Sequence, residues 1–173
     1  MTGMFRKFYP REYYSSTFAI DFGKYYKEGY RGLLFDIDNT IVGHDAPYDD
    51  NAVLFFDSLR KIGFKACLIS NNFDSRVRPF AEGVGCEYVC EAKKPDAGGY
   101  EKGMELLGCD RSDTLFIGDQ LFTDIWGANN AGVYSILVKP LGGEILTRIK
   151  LKRKGEKIVL FFYRHSKYSN IHK

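Results

Sequence analysis

From Gly32 to Val138, short and predominantly apolar runs alternate with longer stretches whose apolar residues recur at helical spacing. The runs 32–37, 64–69, 86–90, 114–118 and 133–138 are too short for helices. Apolar residues fill adjacent positions in them, the mark of strands covered on both faces. The stretches 50–62, 74–83, 96–107 and 121–131 read as helices. Gly63, Gly85, Gly108 and Gly132 stand where these helices must end and the chain turn into the next strand. The rhythm continues with a helix over 143–153 and a last strand over 157–163. Such alternation predicts an α/β fold, a three-layer sandwich with a mostly parallel, Rossmann-like sheet. In such sheets ligands gather beyond the C-terminal ends of the strands, so the chemistry is sought there.

The 173 residues, 45% hydrophobic and 27% charged, suit a single soluble domain with a sizeable core. We divide it into an aromatic-rich lead-in (1–30) that packs on the core, the core itself (31–147) and a basic C-terminal segment (148–173). The lead-in holds ten aromatic residues among Lys, Arg and Glu. The last segment has nine Lys/Arg and one acid, Glu156, for +8; the overall charge is +3, so residues 1–147 carry −5. No apolar run approaches the ~20 residues that span a bilayer. Arg6, Lys7, Arg11 and Glu12 break up any secretory signal pattern, so a cytoplasmic setting is expected. The lead-in and the tail, with Arg148, Lys150, Lys152 and Arg153, read either as packing and a solvated face or as a peripheral contact with an anionic membrane. Nucleic acid is not an expected partner. Cys67, Cys86, Cys90 and Cys109 form no CxxC pair and read as buried free thiols, leaving oxygen donors as the expected metal ligands.

The strand ends carry the polar residues. The first run ends in Asp36-Ile37-Asp38-Asn39-Thr40, two carboxylates close enough to repel each other unless a cation offsets them. The second ends in Ser70-Asn71-Asn72, hydroxyl and amide donors suited to a phosphate. Next come Lys93-Lys94-Pro95, a cation before a proline that can open a helix. The fourth run ends in Gly118-Asp119-Gln120, followed by Thr123-Asp124. Taken singly, each reads as a turn, a cap or a surface lysine. Together, in order, they are the parts of magnesium-assisted phosphoryl transfer, since hard oxygen ligands suit a magnesium ion that also bridges to a phosphate.

In that order the motifs Asp36-Ile37-Asp38-Asn39-Thr40, Leu68-Ile69-Ser70-Asn71, Lys94-Pro95 and Gly118-Asp119 through Asp124 resemble those of the haloacid dehalogenase (HAD) superfamily of phosphatases. The details resemble the YqeG-type members of subfamily IIIA, which are similar to the phosphatidylglycerophosphate phosphatases of mitochondria and plastids. The resemblance implies a Mg2+-dependent hydrolase with Asp36 as nucleophile and Asp38 as general acid and base. Ser70, Asn71 and Lys94 would bind the phosphoryl group, and Asp36, Asp38, Asp119 and Asp124 the metal. Asp at position 38 favours hydrolysis over a stable phosphoenzyme. The 34 positions from Asp36 to Ser70 and the 24 from Ser70 to Lys94 leave no room for a cap domain. An open site takes a large substrate, such as a lipid headgroup or a macromolecule, or borrows a lid in a homo-oligomer. A soluble-metabolite or phosphoprotein phosphatase stays open as an alternative, as does a non-catalytic partner- or RNA-binding module.

Overall fold

The computed structural model describes residues 5–142 and 147–172, the latter with side chains from Lys154 onward. Its elements are β1 (Glu12–Tyr14), α1 (Phe22–Lys27), β2 (Gly32–Phe35), α2 (Asp50–Ile62), β3 (Lys65–Ile69), α3 (Asp74–Val84), β4 (Glu87–Val89), α4 (Gly98–Leu107), β5 (Thr114–Gly118), α5 (Trp126–Ala131), β6 (Tyr134–Val138) and α6 (Thr147–Arg164). Six parallel strands form one sheet in the order β1-β6-β5-β2-β3-β4. The expected three-layer α/β architecture is the one found.

Strand pleating divides the core as the apolar runs predict. Leu33 and Phe35 point to the face covered by Phe22, Phe56, Leu59, Val77 and Phe80, whereas Leu34 joins Tyr100, Met104 and Ala128 on the other. Local signals fix the helix ends. The Asp49 carboxylate accepts from the Ala52 amide at 2.8 Å to cap α2, and Gly63 closes that helix at φ 115°, a conformation that penalises a Cβ.

Register sets up the site. Phe35 pairs with Leu68 on one side and Ile117 on the other, so β2, β3 and β5 end level. The chain runs outward from β2 through β3 and β4, then crosses to β5 on the opposite side of β2. Asp36 therefore stands at the point where strand order reverses, where the neighbouring connections diverge and leave a crevice.

Two expectations change at the ends of the chain. No strand forms over 157–163; that stretch lies within the continuous helix α6. Glu156, Val159 and Tyr163 are buried at helical spacing while Ile158, Phe161 and Phe162 are exposed, so the apolar run wraps around a helix. A short apolar run alone does not separate these two cases. The sixth strand is β1, three residues of the aromatic lead-in, paired with β6 from Glu12–Ile136 to Tyr14–Val138. The predicted helix over 143–153 begins outside the described residues, and the side chains of Arg148, Lys150, Lys152 and Arg153 lie outside them too. Of the cysteines only Cys67 is buried, the other three being half-buried, and all four are free thiols.

β1 brings a buried carboxylate with it. Glu12 accepts hydrogen bonds from the hydroxyls of Tyr134 (2.6 Å), Tyr25 (2.8 Å) and Tyr14 (3.0 Å), and His172 lies 2.5 Å away, stacked on Tyr14. Burial alone would raise the Glu12 pKa, but the three hydroxyls and the His172 charge together hold it below the ordinary glutamate value. Glu12→Ala orphans those hydroxyls and is expected to destabilise the protein by about 3–5 kcal/mol near neutral pH. Because the folded-state pKa is depressed, the stabilisation is complete above the ordinary glutamate pKa and is lost as pH falls through the folded value. Urea unfolding of both proteins across acidic pH checks this, with the gap between them narrowing in that window.

Candidate active site

The four polar strand ends converge. Asp36, directly after β2, is buried, and Lys94 reaches it from the loop after β4, with Nζ donating to Asp36 Oδ1 at 2.6 Å and to Asp124 Oδ1 at 2.7 Å. Asp124 Oδ2 accepts from the amides of Gln120 (3.0 Å) and Asp119 (3.2 Å), which ties the turn after β5 into a loop around the carboxylate. That turn, Leu121–Ile125, is a wide π-helical one, a form that recurs at functional sites. Gly118 is required here, since a Cβ would lie 2.7 Å from the Asp124 side chain. Tyr100 of α4 steadies the turn from below, its hydroxyl donating to the Asp124 carbonyl at 2.9 Å.

Lys94 is itself held. Asn71 accepts from the Lys94 amide at 2.7 Å and donates to the Lys94 carbonyl at 3.2 Å, so both ends of its amide clamp the lysine main chain. The main chain at Glu91 and Lys93 has positive φ, 46° and 54°. α4 starts at Gly98, three residues beyond Pro95, rather than at the proline. Ser70, buried at the end of β3, accepts from the Asn72 amide at 3.1 Å.

Asp38 belongs to a second cluster. Its carboxylate pairs with Arg76 of α3 at 3.0 Å, accepts from the Asn72 amide group at 2.8 Å and takes the Asp45 amide at 2.9 Å. Asn39, directly after Asp38, adopts φ 62°, the left-handed region that Asn tolerates best after Gly, and turns the chain away from β2 there. Asn72, read from sequence as a phosphate donor, instead donates to Asp38, while Arg76, Thr40 (Oγ1 3.3 Å from Asp36 Oδ2) and Tyr100 were not candidates from sequence. Arg76 and Tyr100 sit in ordinary helical stretches, and only the fold brings them to the acids.

The electrostatics call for a cation. Carboxylate oxygens of Asp36, Asp119 and Asp124 lie within 4.8 Å of one another, and all three residues are buried. Among the described residues, Asp36 and Asp124 share one ammonium, that of Lys94, so the buried carboxylates there outnumber the cation that contacts them. Burial pushes the Asp36 carboxyl up to about 7, with Lys94 opposing and Asp124 adding to the rise. Burial would lower Lys94, yet Asp124 and Asp36 hold it above the ordinary lysine value, so it stays charged. The carboxylate oxygens of Asp36, Asp119 and Asp124 are a donor set that fits a hard divalent cation, which would offset their mutual repulsion.

An open α/β sheet with acids at its switch point and a buried lysine between them is the frame of a phosphoryl-transfer enzyme. Residues 42–132 match the haloacid dehalogenase-like hydrolase family. The chain is 31% identical over 166 residues to "Probable phosphatase YqeG" of Bacillus subtilis, covering 88% of this chain and 96% of that one. It is 28% identical over 138 residues to "Phosphatidylglycerophosphate phosphatase 1, chloroplastic/mitochondrial" of Arabidopsis thaliana, covering 70% of this chain and 38% of the relative. The fold is also that of a HAD phosphatase from Thermococcus onnurineus, with a TM-score of 0.52 at 14% identity over 68% of this chain and 90% of the other. The chain therefore belongs to the haloacid dehalogenase-like hydrolase family. Within that family it is a phosphatase.

Proposed function

We propose that this phosphatase is a magnesium-dependent phosphomonoester hydrolase working through an aspartyl phosphate on Asp36, with a phospholipid of the phosphatidylglycerophosphate type as its substrate. The observation that carries the reading is the Lys94 ammonium fixed between Asp36 and Asp124. It orients the nucleophile and leaves a cation where the transferring phosphoryl group gathers negative charge.

Asp36 attacks phosphorus in line with the leaving oxygen, and Asp38 gives that oxygen its proton as the ester bond breaks. Asp38 then takes a proton from the water that attacks the aspartyl phosphate, releasing inorganic phosphate and restoring Asp36. Arg76 and Asn72 hold the Asp38 carboxylate between these steps. Ser70 donates to phosphoryl oxygens. Asn71, engaged with the Lys94 main chain on both sides, acts by holding the lysine in place. Magnesium, held by Asp36, Asp119, Asp124 and the Asp38 carbonyl, would offset the repulsion between an anionic nucleophile and an anionic ester.

Two features support a lipid substrate. Among the described residues, Asp36 to Ser70 holds one helix and one strand, and Ser70 to Lys94 likewise, so no cap covers the site. Beside it, α6 docks against the turn after β5, Glu156 Oε1 accepting from the Leu121 amide at 2.8 Å. Further along α6, Ile158, Phe161 and Phe162 are exposed next to Lys154, Lys157 and Arg164, an apolar and cationic face suited to the surface of an anionic bilayer. No helix among the described residues is long and apolar enough to cross a membrane.

Phosphate release from phosphatidylglycerophosphate and from a panel of soluble phosphoesters, each with magnesium or with chelator, tests the reading. We expect magnesium-dependent release that favours the lipid. Preference for a soluble ester would remove the lipid substrate and leave the chemistry; no release from any ester would overturn both.

A further inference from the structure

A second polar hollow lies at the start of β6, the opposite end of the sheet from Asp36 and Asp119. It is a cavity of about 540 Å³ whose walls carry four cations, Arg6, Lys7, Arg11 and Lys167, and no acid among the described residues. The nearest acid in sequence, Glu12, is occupied by three tyrosine hydroxyls and His172. The Arg6 guanidinium rests 4.6 Å above the Tyr168 ring and the Lys7 ammonium 4.3 Å above the Trp126 ring. These contacts fix the positions of two cations without neutralising them. Like charges gathered around one concavity raise the local potential and concentrate anions there.

Tyr9 adds a second, independent observation. It lines the same cavity, is 6% exposed, and its buried hydroxyl has no hydrogen-bond partner among the described residues. A buried hydroxyl without such a partner is costly, and a ligand in the cavity would supply one. The cavity falls in the size range of small-molecule sites and exceeds what one phosphate ion fills.

We propose that this hollow binds a small polyanion carrying at least two phosphate-type groups, at a site separate from the catalytic centre. Arg6 and Arg11 offer planar forks for phosphate oxygens, Lys7 and Lys167 add point charges, and the Tyr9 hydroxyl donates to the same ligand. The shared chemistry is a clustered phosphate, and its source is either a soluble compound or a lipid headgroup.

Isothermal titration of the full chain with inorganic pyrophosphate, in chelator, tests the site. Without a divalent ion, the buried carboxylates of Asp36 and Asp124, which already occupy the Lys94 ammonium, disfavour an anion at the catalytic centre. We expect saturable binding that weakens about tenfold or more when Arg11→Ser and Lys167→Ser are combined. Tyr9→Phe, which keeps the ring, weakens it about threefold. Arg11 and Lys167 are exposed, so the double variant folds, and its phosphate release from esters stays at the native rate. A parallel arm measures co-flotation with phosphatidylcholine vesicles containing phosphatidic acid. Recruitment lost in the double variant, with pyrophosphate ignored, assigns the phosphates to a lipid headgroup at this same site. If neither pyrophosphate nor the vesicles bind, or both bind the double variant as tightly as the native chain, the proposal is overturned.

Discussion

Asp36→Asn is expected to lower kcat for phosphate release by about 10⁴-fold or more while leaving the protein folded. Asparagine matches aspartate in shape and fits between Lys94 and Thr40, but its amide is no nucleophile toward phosphorus. The folded state does not depend on this carboxylate as it does on Glu12. Burial already pushes Asp36 up to about 7, which means that the native fold disfavours its charge. Lys94 keeps its 2.7 Å contact with Asp124 in the variant. Thermal unfolding in chelator should therefore show the variant at least as stable as the native chain, with activity gone. Turnover within tenfold of native would place the nucleophile elsewhere, and a collapse in stability would make Asp36 a structural residue.

How much of this was legible beforehand follows from which interactions are local. Apolar runs bounded by glycines predicted β2 to β6 closely, because a parallel strand buried on both faces carries its signal in its own residues. The acids, the serine and the lysine stood out because they follow those runs directly. β1 escaped notice since an edge strand of three residues is defined by its partner β6 and has no periodicity of its own. The stretch 157–163 misled for the opposite reason. A helix packed against the core on one side and exposing Ile158, Phe161 and Phe162 on the other is apolar all round, so its run of five apolar residues imitates a strand. Arg76 and Tyr100 support Asp38 and Asp124 across more than twenty positions of sequence, and no local pattern marks such a partner. Glu156 was visible only as the lone acid of a basic tail; the fold gives it a purpose, placing it on the Leu121 amide at the start of the turn that carries Asp124.

Lys94→Ala separates a lysine that merely binds phosphate from one that also completes the buried site. The native ammonium is almost wholly buried and bonded to two carboxylates, with Asp119 close by. Removing it takes from the buried Asp36 and Asp124 the cation that both contact, and breaking a buried ion pair in this way costs about 3–5 kcal/mol. We therefore expect a marked fall in the urea midpoint when divalent ions are chelated. On the proposed reading magnesium binds the folded acids and not the unfolded chain, so adding it should raise the variant's stability by mass action, and by more than it raises that of the native protein. Activity should remain low even at saturating magnesium, by about 10²–10³-fold, because the missing donor serves the transition state as well as the fold. The two readouts divide the roles. A variant equally stable with chelator and with magnesium would show that the acids hold no divalent ion, whereas one that regains native kcat at high magnesium would show that the lysine's charge, and not its placement against the phosphoryl group, is what the reaction needs.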